Sequence, residues 1–152
     1  MKQFRYRLET VLDYKTQVLD NLKTEHAAIT QSVNQKREDI NRLHGQLNGY
    51  HSDFDQTKTS GATIENYRLY SMCIDRMEQM IKEENKRLAV LEEKQEKKKN
   101  EVVEARVDTS KFEKLKDKRL KEYRTAEQKE EEAFVEEFVI RSMGNESPVF
   151  RG

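Results

Sequence analysis

From Leu8 to Phe112 the apolar side chains recur at steps of three and four residues, with one clear break near Gly61. That spacing puts one narrow apolar stripe on a helix and leaves the rest of its surface to water. A stripe of this kind has to be covered by another helix, which restricts the chain to coiled-coil-like packing. Leu8, Val11, Val18, Leu22, Ile29, Val33, Ile40, Leu43, Leu47, Tyr50 and Phe54 carry the stripe of a first helix, and Lys15, Glu25 and Lys36 stand where an apolar residue is missing. Leu22, Glu25, Ile29, Val33 and Lys36 step 3-4-4-3, an eleven-residue insertion in an otherwise heptad seam that would locally relax a left-handed supercoil.

The break is the stretch QTKTSGATIEN. Gly61 suits a helix end because glycine enters the left-handed region without penalty. A hydroxyl of Ser60 or Thr63 is placed to cap the next helix. The second stripe runs through Tyr67, Tyr70, Ile74, Met77, Ile81, Leu88, Leu91, Val102, Ala105, Thr109 and Phe112, with Glu84, Gln95 and Lys98 in vacant slots. Beyond Phe112 the phase drifts, since Leu115 and Leu120 do not both fit it. Gly144 and Pro148 are expected to end this helix. The predicted fold is all-α: two long helices in an antiparallel coiled-coil hairpin, the C-terminal one longer. It forms one unit over 1–143, with helices over about 4–58 and 64–142, a turn over about 59–63 and a flexible tail over 144–152.

With the turn at Gly61, paired positions total about 122, and a first helix of about 55 residues reaches about 80 Å. It therefore runs out near position 116. About 26 residues of the second helix, roughly 39 Å, are left unaccompanied. Over 111–124 seven basic residues stand against three acidic ones, and over 127–137 six acidic residues stand against one basic. A cationic band followed by an anionic one suits a complementary socket. A charged helix that frays in solvent accounts for the same composition.

The totals agree with a seam rather than a broad core. Charged residues make up 38% and hydrophobic residues 34% of the 152-residue chain, against about 25% and 45–50% in average proteins. Formal net charge is zero, whereas nucleic-acid binders carry a basic excess. The single Cys73 has no internal disulfide partner and suits a reducing cytosol. The opening MKQFRYRLETVL lacks the apolar core of a secretory signal. No apolar run is long enough to span a bilayer, so no direct membrane insertion is expected.

The sequence carries no phosphate-binding glycine loop, nucleophile elbow or zinc spacing. His51 and Asp55 share a helix face, but two donors underfill a metal site and read more simply as solvated side chains. No catalytic residue, cofactor or metal is expected. One local feature stands out beside the turn, where Met72, Cys73 and Met80 widen the stripe around Tyr70, Ile74, Met77 and Ile81. Leu43, Leu47 and Tyr50 lie opposite. Methionine-rich aromatic patches serve adaptable recognition; thicker packing at the turn is the plainer reading. Gly45 and Gly49 favour a bend in the first helix there.

The opening FRYRLETVLDYKTQ followed by NLKTEHAAI, the break SGATIENY, and the end FEKLKDKRLKEYRTAEQKEEEAFVEEFV together resemble the FliJ family of the bacterial flagellar type III export apparatus. The end departs from the family pattern, with EEEAFVEEF where members often carry an Asp-Glu pair before the last apolar turn. The resemblance implies a non-enzymatic, stalk-like protein in the pore of a hexameric export ATPase. Such a protein promotes assembly of the ATPase, links it to the membrane export gate and handles export chaperones, in support of flagellum assembly and motility. It implies a cytoplasmic protein, peripheral on the cytoplasmic face of the plasma membrane and largely monomeric on its own.

On that reading Phe4, Tyr6, Arg119, Tyr123, Arg124, Phe134 and Phe138 are expected to contact the ATPase. Leu43, Gln46, Tyr50, Cys73, Met77 and Met80 are expected to contact the gate. Three other readings stay open at this stage: the corresponding stalk of a virulence-type secretion system, a generic structural coiled coil, and an RNA-binding hairpin using the band from Lys111 to Arg124.

Overall fold

The computed structural model describes residues 2–146. Two helices, α1 (Glu9–Ser60) and α2 (Ile64–Glu146), pack antiparallel against each other, and α2 is the longer. No strand occurs among the described residues. The chain divides into two compact units, Leu19–Glu104 and the flanking chain on both sides of it.

The unit Leu19–Glu104 contains the turn. Gly61 takes φ 82°, in the region where a side chain costs about 1–2 kcal/mol. Of the two expected caps, Thr63 is the one used: its Oγ1 accepts the Asn66 amide at 3.3 Å. The Ser60 hydroxyl instead donates back to the Gln56 carbonyl. Phe54 closes the apolar seam beside the turn, with its ring 5.4 Å from Tyr67 and 5.7 Å from Tyr70. Further along, Lys36 bonds Glu84 at 2.7 Å, Gln95 bonds Thr30 at 3.0 Å, and Lys98 bonds Glu25 at 2.9 Å. These pairs bracket the expected register.

On the same seam, between and on both sides of these polar rungs, lie Leu19, Val33, Ile40, Ile74, Met77 and Ile81, all buried, and Val33 is fully so. A buried aliphatic side chain contributes about 1.5–3 kcal/mol, and a partly exposed ion pair about 0–1 kcal/mol. The apolar residues therefore supply most of the stability, while the rungs fix which residues meet.

In the flanking unit, Leu12 and Thr109 are buried. The Thr109 hydroxyl donates to the Ala105 carbonyl at 2.7 Å and lies 3.3 Å from that of Lys15. Lys15 pairs with Asp108 and sits over the Phe112 ring. A lysine in the seam is thus held by a carboxylate on one side and a ring face on the other.

The α2 stripe is the expected one at every position from Tyr67 to Phe112, each of them buried or half-buried. The α1 stripe differs from expectation. Val11 is 37% exposed, whereas Leu12 and Leu19 are 7% and 8% exposed. His26, not Glu25, occupies the slot between Leu22 and Ile29. With Leu12, Leu19 and His26 in place, the covered positions of α1 alternate steps of four and three from Leu8 to Phe54. The eleven-residue insertion expected at 22–36 is absent, and α1 is a continuous heptad helix. Glu25 stays outside and reaches Lys98 from the flank.

Eleven-residue spacing is found instead on α2, beyond Thr109. The stripe there runs Thr109, Phe112, Lys116, Leu120, Tyr123 and Glu127, with Ser110 and Leu115 half-buried beside it. The two successive steps of four account for the drift in phase.

The helix limits also differ. α1 begins at Glu9 rather than near residue 4, because the chain before it is held non-helically on α2. α2 runs through Gly144 to Glu146, so Gly144 does not stop it; with no Cβ neighbour to meet, this glycine continues the helix at a modest propensity cost. The expected stop at Pro148 and tail beyond 146 lie outside the described residues.

Hydrogen bonding to Lys36, opposed by partial burial and assisted by Arg87, holds the Glu84 carboxyl below its ordinary 4.5. A depressed folded value stabilises the fold fully above pH 4.5, and that contribution fades as pH falls through the folded value. In Lys36→Met, urea midpoints measured from pH 6 down to about pH 3 should fall less steeply below pH 4.5 than in the parent chain.

Candidate functional site

Two surfaces carry the residues singled out by sequence, one in each unit. The first is built where the chain before α1 meets α2. FRYRLE falls within the range expected for the first helix, yet Phe4, Tyr6 and Leu8 alternate at a period of two and residues 2–6 form no helix. Two tyrosines hold this arm in reciprocal fashion. The Tyr6 hydroxyl donates to the Phe112 carbonyl at 3.0 Å, and the Tyr123 hydroxyl donates to the Lys2 carbonyl. The Phe4 ring packs against Tyr123, centroids 5.5 Å apart. Glu9, at the first turn of α1, accepts from Lys116 at 2.9 Å. This hydrogen bond, opposed by partial burial, raises the Lys116 ammonium above its ordinary 10.5.

Cover therefore extends to Tyr123, several residues past the expected limit near 116. The part of α2 from 116 to Tyr123, expected to be unaccompanied, has an internal partner in the arm. The physical reason is that a non-helical arm with long aromatic side chains lies on α2 where a helix was expected to have ended.

Beyond Tyr123 the described side chains of α2 are exposed apart from the half-covered Glu127. Phe134 and Phe138 are 70% and 65% exposed. Phe112, Tyr123 and Phe134 follow one another at intervals of eleven, close to three helical turns, so they share one face. The first is covered by Lys15, the second by Phe4, and the third by nothing in the described chain.

The expected ATPase-contact residues thus separate into two groups. Tyr6 is buried and Phe4 and Tyr123 are half-buried, all three engaged in holding the arm. Arg119, Arg124, Phe134 and Phe138 are exposed. Val135, Val139, Ile140 and Met143 are also exposed and were not singled out. The eleven-residue interval was the signal that would have marked this stretch as a continuing seam.

The second surface is the patch near the turn. Met77 is buried and belongs to the core. Leu43, Tyr50 and Cys73 are half-buried at the seam edge, and Gln46 and Met80 are exposed. Leu69 and Met72 extend the exposed apolar face at 60% and 69% exposure. His51 lies 4.0 Å from Glu78, and among the described residues no group of three His, Cys, Asp or Glu is placed to hold a metal ion. No helix among them is long and apolar enough to cross a membrane.

Comparison with protein families gives a match to the family described as Flagellar FliJ protein, over residues 4–147. Comparison with curated proteins and with solved structures gives no match.

Removing the Phe4 ring deletes an aromatic pair worth about 0.5–1.5 kcal/mol. Phe4→Ala should raise the rate of tryptic cleavage after Arg5 and Arg7 several-fold while leaving the helical circular dichroism signal unchanged.

Proposed function

The chain belongs to the FliJ family, and from that membership we propose that it serves the flagellar type III export apparatus as a stalk-like, non-enzymatic protein that binds a hexameric export ATPase. The observation that carries this reading is the uncovered stretch of α2 beyond Tyr123, where exposed Phe134 and Phe138 follow a cationic band containing Arg119 and Arg124. Docking such a helix in the pore of a ring lets a single face engage subunits unequally. Ring subunits that bind it better are thereby favoured in one conformation, a shift limited by the difference in affinity. The chain contributes contacts and hydrolyses nothing itself.

Phe4, Tyr6 and Tyr123 act here as positioning residues that hold the arm, while Arg119, Arg124, Phe134 and Phe138 make the ATPase contact. The patch of Leu43, Gln46, Tyr50, Cys73 and Met80 faces the export gate. Met77 supports it from within the core. Export chaperones are the third class of partner, and the protein works peripherally at the cytoplasmic face of the membrane.

Both assignments are tested by affinity measurements on purified partners. Arg119→Glu with Arg124→Glu should weaken ATPase binding about tenfold, or about 1.4 kcal/mol, and leave gate binding unchanged. Unchanged ATPase affinity removes that assignment. Tyr50→Ser with Met80→Ser should lower affinity for the cytosolic part of the gate and reduce export without loss of helicity. Met77 is unsuitable for this test, because a polar residue there disrupts packing.

A further inference from the structure

The face of α2 that carries Phe112 and Tyr123 continues, uncovered, through Glu131, Phe134, Phe138 and Arg141. These four positions step 3-4-3, and the order of their chemistry has a particular property: acid, ring, ring, base. Turned end for end against itself, the row sets each Phe134 against a Phe138 and each Glu131 against an Arg141. A parallel alignment sets acid on acid and base on base. Antiparallel self-pairing about a two-fold axis satisfies the row twice over, which is the requirement of an isologous interface.

We propose that this face pairs with the same face of a second copy of the chain, antiparallel, with the two-fold axis level with Glu136. Four phenylalanines form its centre, and two Glu131–Arg141 ion pairs close its ends. Val135, 57% exposed, flanks the row one residue from the axis and meets its counterpart there, since same-side flanks face each other in an antiparallel pair. On the opposite flank Glu137 faces its own counterpart, a like-charge contact that weakens the pair. Glu132 and Glu136 lie on the outer side of the helix and remain in water. About three turns per copy make a small interface, at the weak end of the range for specific association. The pair is therefore expected at concentrations of roughly tens of micromolar and above.

Self-pairing covers the same phenylalanines assigned above to the ATPase, so the two associations exclude each other. The proposal does not rest on the export reading, because it concerns the chain alone. Failure of one leaves the other standing.

Sedimentation velocity on the full chain across roughly 1–300 μM tests it. The expected result is a reversible monomer–dimer equilibrium. Arg141→Glu and Glu131→Arg should each raise the dimer Kd at least about tenfold, and the double swap Glu131→Arg with Arg141→Glu should bring it back to within about threefold of the parent. In a Cys73→Ser background, Val135→Cys should form an intermolecular disulfide under mild oxidation, and Glu132→Cys on the outer side should not. A monomer at every concentration overturns the proposal and leaves the face to another partner. Failure of the double swap to restore pairing overturns it, as do equal cross-linking yields at 132 and 135.

Discussion

The seam between α1 and α2 is a single file of side chains, and it carries nearly all the buried residues of the described chain. Isolated helices of this polarity are marginal, and every buried hydrophobic residue of the described α1 and α2 lies on that file. Its direction is set at Gly61, where a backbone angle closed to most residues reverses the chain within three positions. Its register is set by the polar rungs. Lys36 with Glu84 and Glu25 with Lys98 tolerate no slip of one turn without leaving charges misplaced at the seam edge. The same logic holds in the flanking unit, where Lys15 meets Asp108 and Glu9 meets Lys116.

Much of this was legible before any coordinates. The reversal at Gly61, the inequality of the helices and the whole α2 stripe to Phe112 follow from spacing, because Tyr67, Tyr70, Ile74, Met77, Ile81, Leu88 and Leu91 hold one phase that decides between adjacent apolar residues such as Val102 and Val103. α1 was harder for a specific reason. Val11 and Leu12 are adjacent apolar residues, as are Val18 and Leu19, so spacing alone does not select between them. The choice is made by what stands opposite, and the larger leucines fill the gap better. A stripe that starts through Val11 puts Glu25 in the slot that belongs to His26, and only an eleven-residue insertion then restores its phase.

The arm was hidden for a different reason. Phe4, Tyr6 and Leu8 alternate at a period of two, which suits an extended path, but three residues are too few to set against the long helical pattern that follows; the hydrogen bonds of Tyr6 and Tyr123 show where that path lies. Among the surface residues, exposure on the terminal stretch of α2 followed from the shortness of α1. The burial of Met77 did not, because a stripe residue beside an exposed patch has the same spacing whether it faces inward or out. The arm also divides a group that sequence had merged. Phe4, Tyr6 and Tyr123 hold the chain to itself, while Arg119, Arg124, Phe134 and Phe138 stay exposed.

The eleven-residue interval linking Phe112, Tyr123 and Phe134 carries a mechanical implication. A heptad stripe drifts around a straight helix and compels its partner to wind with it, whereas eleven residues in three turns, about 3.67 per turn, nearly match the native pitch. The row of rings therefore keeps a constant bearing along the axis. A receptor for it needs only a straight channel, and the helix can slide or be inserted end-on without having to corkscrew.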